Sequence, residues 1–376
     1  MFLILFVSFT CGLIATLGVI ASARHHAPWS ADHDLSGPQK MHVAAVPRVG
    51  GVGIFVGVLC GVAAAMWARP EYRHELLLFV VCMLPAFGSG LWEDFTKAIS
   101  PRRRMVALAL SGLLGVTLLD GVILRSGWMP LDHLLLANGL GWIGTVGAIF
   151  AVTGVSNSVN IIDGMNGLAS MCVVLMSSAL ALISWQVHDA LVGSLAVATL
   201  GATSGFFVWN FPRGLIFLGD GGAYVLGFIV AELGILLSAR HANVSMLAPL
   251  LIVMYPFFET LFSMYRRRVL QSRSMTQPDG IHLHTLIYRR LRRGGVNSRG
   301  VSDVRRANSS TSPFLWLLAL VAIVPAAIWW NNSAVLSLAL LLFVLAYLSV
   351  YWRIVRFKSP RWMKARRRGL PRGNEF

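Results

Sequence analysis

Charge is what this chain has little of. Only 13% of its 376 residues are Asp, Glu, Lys or Arg, about half the roughly 25% usual in soluble domains. Hydrophobic residues make up 56% and the mean hydropathy is +0.67, which excludes an ordinary soluble domain. Cysteine is also scarce. Cys11, Cys60, Cys82 and Cys172 each fall inside an apolar stretch, without metal-ligand spacing, and read as small packing residues. No Lys or Arg precedes the first apolar run. That run is longer than a secretory h-region, so it reads as an uncleaved anchor although Ala21-Ser22-Ala23 imitates a cleavage site.

What is present is a succession of apolar runs long enough to cross a bilayer, which takes about 17–25 residues each. Eleven recur, at roughly 2–23, 49–68, 76–92, 105–124, 134–156, 166–187, 190–209, 214–238, 245–265, 313–330 and 334–352. Spanning strands would leave backbone groups unpaired in lipid. The expected fold is therefore an all-α integral membrane protein, one polytopic domain over residues 1–376 with about eleven transmembrane helices. Residues 265–312 form the expected cytoplasmic loop and 353–376 a basic cytoplasmic tail.

The formal net charge of +16 would suit nucleic acid if it were gathered on one soluble face. It is not. With the N-terminus outside, 28 of the 32 Lys and Arg residues fall in inside segments, and only Arg69, Arg73, Arg125 and Arg240 fall outside. This is the positive-inside asymmetry of a membrane protein, reinforced by anionic headgroups, and no nucleic-acid partner is expected.

On that topology the unusual polar residues gather on the inside face. The stretch "NSVNIIDGMNGLASM" (157–171) carries a carboxylate and three carboxamides at the edge of an apolar span. "QKMHVAAVPRVGG", "GLWEDFTKAISPRRR", "NFPRGLIFLGDGG" and "PDGIHLHTLIYRRL" join it at the same face, bringing Lys40, His42, Arg48, Glu93, Asp94, Asp163, Asp220, His282 and His284 together. A carboxylate at mid-bilayer costs about 2.5–3.5 kcal/mol on insertion scales, so Asp163 and Asp220 call for a compensating partner. Mg²⁺, which takes one or two carboxylates plus phosphate oxygens and water, is the natural one, with Mn²⁺ as a substitute. Lys40, Arg48 and the histidines suit phosphate. Asn157, Asn160, Asp163 and Asn166 recur every third residue, drifting about 60° per step on a helix, and their amides suit a sugar or nucleobase. Together these point to metal-assisted phosphoryl transfer at a membrane surface. Glu232 sits roughly 18 Å beyond Asp220 toward the outside and is expected to be paired within the bundle. A transporter would instead place polar groups at the midplane on broken helices related by repeats, and the two halves of this chain show no such correspondence.

These motifs resemble those of the polyprenyl-phosphate N-acetylhexosamine-1-phosphate transferases, over residues 34 to 290 and in the same order. The family's Asn-rich Asp-Gly motif is similar to "NSVNIIDGMNGLA", its acidic pair to Glu93-Asp94, its Gly-Asp motif to "IFLGDGG", its Pro-Arg-x-Gly-Gly segment to "QKMHVAAVPRVGG" and its histidine motif to "HLHT". The resemblance implies a cytoplasmic-face active-site cleft in a bacterial inner membrane. There, a UDP-N-acetylhexosamine and polyprenyl phosphate would give polyprenyl-diphospho-sugar and UMP. It implies Asp220, aided by Asp163, on Mg²⁺, and Asp94, beside Glu93, orienting or deprotonating the lipid phosphate. Lys40, His42, His282 and His284 would lie on phosphate oxygens, Phe217 would stack on uracil, and Asn210 would contact the nucleotide. Three departures stand out: Glu93 where an Asp is common, Asn166 in place of the motif's second Asp, and a histidine triplet reduced to His282 and His284. The triplet typifies the peptidoglycan lipid I enzyme, so the enzymes that begin surface-polysaccharide repeats are the nearer analogues. For Asn166 the expectation is direct contact with substrate. A homo-oligomer is compatible with the sequence, which does not set the oligomeric state.

Overall fold

A computed structural model describes residues 1–25, 46–125, 141–270, 281–294 and 301–356, and these form helices with no β-strand. In chain order they are α1 (Phe2–Ala21), α2 (Gly50–Ala68), α3 (Arg73–Thr96), α4 (Pro101–Leu119), α5 (Trp142–Ile162), α6 (Leu168–Gln186) and α7 (Ala190–Asn210). Then follow α8 (Gly219–Arg240), α9 (Leu247–Ile252), α10 (Met254–Tyr265), α11 (Leu283–Gly294), α12 (Val301–Ile328) and α13 (Ser333–Val355). Among the described residues nine helices are long and apolar enough to cross a membrane, against the eleven expected. The other two expected spans fall on α4, whose first turn holds Arg102, Arg103 and Arg104, and on the α9–α10 pair. That pair breaks at Val253 because Pro256 lacks the N–H that would bond to Ile252 and is tolerated only in a first turn. The expected loop 265–312 is also more ordered than anticipated: it contains α11 and the first turns of α12.

Side-chain caps set several starts. Ser100 accepts from Arg103 N–H at 3.4 Å ahead of Pro101, and Asp189 accepts from Val192 N–H at 3.0 Å. Inside α3, Pro85 interrupts the ladder, and the neighbouring Ala86 N–H is met by Ser111 Oγ of α4 at 3.0 Å, as a low-dielectric setting requires.

Helix α8 is the axis of the bundle, buried on every side from Gly219 to Ser238, the pattern of a helix with apolar neighbours all round. Small residues allow backbones to touch there. Gly51 of α2 lies on Gly222, and Gly90 of α3 lies on the Asp220 backbone. The start of α8 is thereby held between the start of α2 and the end of α3. Farther along, Glu232 is buried against Gly115 and Gly121. The expected pairing is not met: its Oε1 has no hydrogen-bond partner among the described residues.

Candidate active site

The chain reverses sharply before α8. Gly219 has φ +74°, a left-handed conformation that favours glycine. A Cβ there would collide with the Arg48 carbonyl and come within 2.6 Å of Asp94 Oδ2. The preceding residues are stitched to the chain before α2: Phe217 N–H donates to Pro47 O at 2.9 Å, and Gly50 and Gly51 N–H donate to Phe217 O and Leu218 O at 3.0 and 2.9 Å. Asp94, buried at the end of α3, accepts from Asp220 N–H at 2.8 Å and from Gly221 N–H at 2.9 Å. It thus caps the positive end of α8, and both its oxygens are engaged in doing so.

That cap fixes the Asp220 carboxylate. Oδ1 accepts from Asn160 Nδ2 at 2.9 Å and faces Arg48 at 3.5 Å, and Oδ2 accepts from Arg104 at 3.0 Å. Arg104 also lies 3.8 Å from Glu93, whose other oxygen accepts from Ile99 N–H at 2.8 Å. Arg104 was hidden in the sequence within "PRRRM", where three arginines read only as a topology signal.

Asp163 ends α5 and leads into a turn. Protein surrounds it closely, yet its surface stays partly open. Burial, reinforced by the Asp220 and Asp94 carboxylates, pushes its pKa well above the usual carboxylate range against the opposing pull of Arg48. Its carboxylate has no hydrogen bond or close ion pair among the described residues. The donor set of Asp163 and Asp220 fits Mg²⁺, which needs only one or two carboxylates when phosphate and water complete its shell. No group of three or more acidic, His or Cys side chains that could hold a metal occurs among the described residues.

Two expected substrate contacts, Asn210 and Asn166, make hydrogen bonds within the scaffold. Asn210 is buried. Its Oδ1 accepts from Gly167 N–H at 2.6 Å and its Nδ2 donates to Ile216 O at 2.8 Å, so it ties the α5–α6 turn to the strand of chain before α8. Asn166 is buried as well. Its N–H donates to Asn308 Oδ1 at 2.8 Å, its Nδ2 to Pro212 O at 3.2 Å, and its carbonyl accepts from Ser312 Oγ at 2.6 Å. Both Asn210 side-chain atoms are thus engaged, whereas Asn166 Oδ1 has no hydrogen-bond partner among the described residues. Phe217 is half-buried just before α8. Lys40 and His42 lie outside the described residues.

The histidine motif reaches the same place from the far end of the chain. His284 Nε2 packs on Gly164, 2.6 Å from where a Cβ would sit, and the His282 and His284 rings stack with centroids 5.4 Å apart, 6° from parallel. His282 Nδ1 lies 3.0 Å from Glu259 of α10. Sequence reasoning passed over Glu259, a lone carboxylate within the apolar run 245–265, although the same cost argument that singled out Asp163 and Asp220 applies to it.

A multi-pass helical membrane protein with an acidic cluster, two arginines and a histidine pair at one end of the bundle is the class that fold and site define. Residues 76–238 match glycosyl transferase family 4. A Bacillus subtilis (strain 168) protein named as a probable undecaprenyl-phosphate N-acetylglucosaminyl 1-phosphate transferase is 26% identical over 282 residues, 74% of this chain and 75% of that protein. A Yersinia pestis undecaprenyl-phosphate alpha-N-acetylglucosaminyl 1-phosphate transferase is 26% identical over 333 residues, 85% of this chain and 84% of its own length. An Oceanobacillus iheyensis phospho-N-acetylmuramoyl-pentapeptide-transferase is 31% identical, but over 217 residues, 54% of this chain and 64% of that protein. The similarity thus extends farther along the chain in the first two.

Proposed function

We infer that this chain is a phosphoglycosyl transferase that moves an N-acetylhexosamine 1-phosphate from a UDP-sugar to undecaprenyl or a related polyprenyl phosphate, starting a surface-polysaccharide repeat. The observation that carries the reading is the meeting of Asp163, Asp220, Asp94, Arg48 and His284 from five distant segments at one end of the bundle, whose residues 76–238 match glycosyl transferase family 4. The two relatives that match along most of the chain are named for the same kind of transfer. In this reading the chain crosses a bacterial cytoplasmic membrane eleven times, with the N-terminus outside and the cleft inside.

In the reaction a lipid phosphate oxygen attacks the β-phosphorus and the bond from that phosphorus to the bridging oxygen breaks. UMP departs with that oxygen. Asp163 and Asp220 would hold Mg²⁺, which when bound neutralises charge on the diphosphate. Arg48 and Arg104 supply fixed positive charge beside Asp220, and the histidines face phosphate oxygens. Asp94 acts by holding Asp220 and the α8 N-terminus in place rather than by taking a proton, because both its oxygens accept backbone N–H groups. Purified protein incubated with a panel of UDP-amino sugars, polyprenyl phosphate and Mg²⁺ should release UMP with at least one sugar. Silence across the panel would refute the reading.

A further inference from the structure

Glu259 is a heavily committed carboxylate outside the acidic cluster. It sits on α10, buried within an apolar span, and three donors converge on it. Leu283 N–H and His282 Nδ1 share Oε1 at 3.0 Å each, and the Tyr347 hydroxyl of α13 donates to Oε2 at 2.6 Å. Arg266, at the end of the same span, donates to Ile281 O at 2.7 Å and to Tyr351 at 3.1 Å. The start of the histidine motif is thereby pinned by two residues of the α10 segment, each backed by a tyrosine from α13.

We propose that Glu259, supported by Tyr347, is a positioning residue for the transfer reaction, setting the tautomer and orientation of His282 and through it the stacked His284 at the Asp163–Gly164 turn. The proposal rests on the transferase reading above. The chemistry is that of an acceptor-only group. An ionised Glu259 cannot donate, so the Nδ1 facing it carries the proton, and the opposite ring edge, Nε2, is turned away from α10. Because Leu283 N–H shares the same oxygen, the ring is locked against the backbone of its own loop. A parallel stack 5.4 Å apart hands that orientation to His284, whose Nε2 lies on Gly164. An isolated carboxylate in an apolar span is costly, and a purely structural joint between α10 and α13 would not need its charge directed at a histidine.

A double-mutant cycle tests this. Glu259→Gln should lower kcat by about 10–100-fold, the scale found when the carboxylate behind a metal-bound histidine is removed, with a smaller change in KM for the UDP-sugar. Tyr347→Phe removes one of the three hydrogen bonds and should give a lesser loss. It keeps the test open where Glu259→Gln inserts poorly. In a His282→Gln background neither substitution should reduce kcat further, because both act through that ring. Independent losses that multiply in the double variants would overturn the proposal. Thermal unfolding of the four proteins of the Glu259–His282 cycle needs no substrate: the pair should show non-additive shifts, and additive ones also count against it. Absence of UMP release from the wild-type protein, by contrast, strikes the transferase reading itself.

Discussion

Replacing Asp94 by Asn separates a carboxylate that holds the protein together from one that acts on substrate. In the structure both Asp94 oxygens accept backbone N–H groups, from Asp220 at 2.8 Å and Gly221 at 2.9 Å. An asparagine keeps one acceptor and turns an NH₂ group toward the other N–H. The loss is one backbone hydrogen bond with an N–H left facing a donor, about 1–3 kcal/mol, offset in part by relief of the crowding between the Asp94 and Asp220 carboxylates. The expected destabilisation is therefore about 1–2 kcal/mol, read as a fall of a few degrees in the unfolding temperature in detergent by tryptophan fluorescence. Activity should drop as well, because the cap sets the direction of the Asp220 carboxylate. An Asp94→Asn protein that unfolds at the wild-type temperature yet releases no UMP would refute the cap argument and return Asp94 to a direct role on the lipid phosphate.

Asp163 should behave in the opposite way. It faces Asp220 and Asp94 with no close partner among the described residues, so Asp163→Asn should leave unfolding unchanged or raise its temperature, while kcat falls at least about a hundredfold, equivalent to about 2.7 kcal/mol. A destabilised Asp163→Asn protein would contradict this. Asn166→Asp should lower the unfolding temperature, because the Nδ2 donor to Pro212 O would become a buried acceptor facing another acceptor; wild-type stability would show that the amide is not a joint. On the opposite face, burial opposes ionisation of Asp189, but Arg240, Val192 N–H and His241 overcome it and hold its pKa below the usual range. A depressed folded-state pKa gives stability that is present above the unfolded value of about 3.9 and lost as pH falls through the folded one. Unfolding temperature measured down through pH 4 should therefore decline, and Asp189→Asn should flatten that decline.

The spans were legible because lipid imposes long apolar runs, and α1, α2, α6, α7, α8 and α13 lie within a few residues of where hydropathy puts them. Charge and proline blurred the others. Arg102 to Arg104 sit inside the first turn of α4, and Pro256 divides the run 245–265. At the site, Asp163 and Asp220 stood out because ionised groups are rare in such segments. The roles of Asn166 and Asn210 were not legible, since a carboxamide in a polar motif suits a ligand and a buried turn equally well. Only the partners, Pro212, Asn308, Ser312, Gly167 and Ile216, distinguish them. Arg104 and Glu259 were obscured by their surroundings, one among neighbouring arginines and the other within an apolar span.

The central claim is that a phosphoryl-linked sugar, and not the sugar alone, passes to the lipid. UDP-N-acetylhexosamine labelled with ³²P at the β-position, incubated with purified protein, polyprenyl phosphate and Mg²⁺, tests it directly once the accepted sugar is known. The label should move into the organic phase while unlabelled UMP appears in equal amount, and excess chelator should stop both. Label retained in water as UDP with the sugar on the lipid, or released as free sugar phosphate, would contradict it.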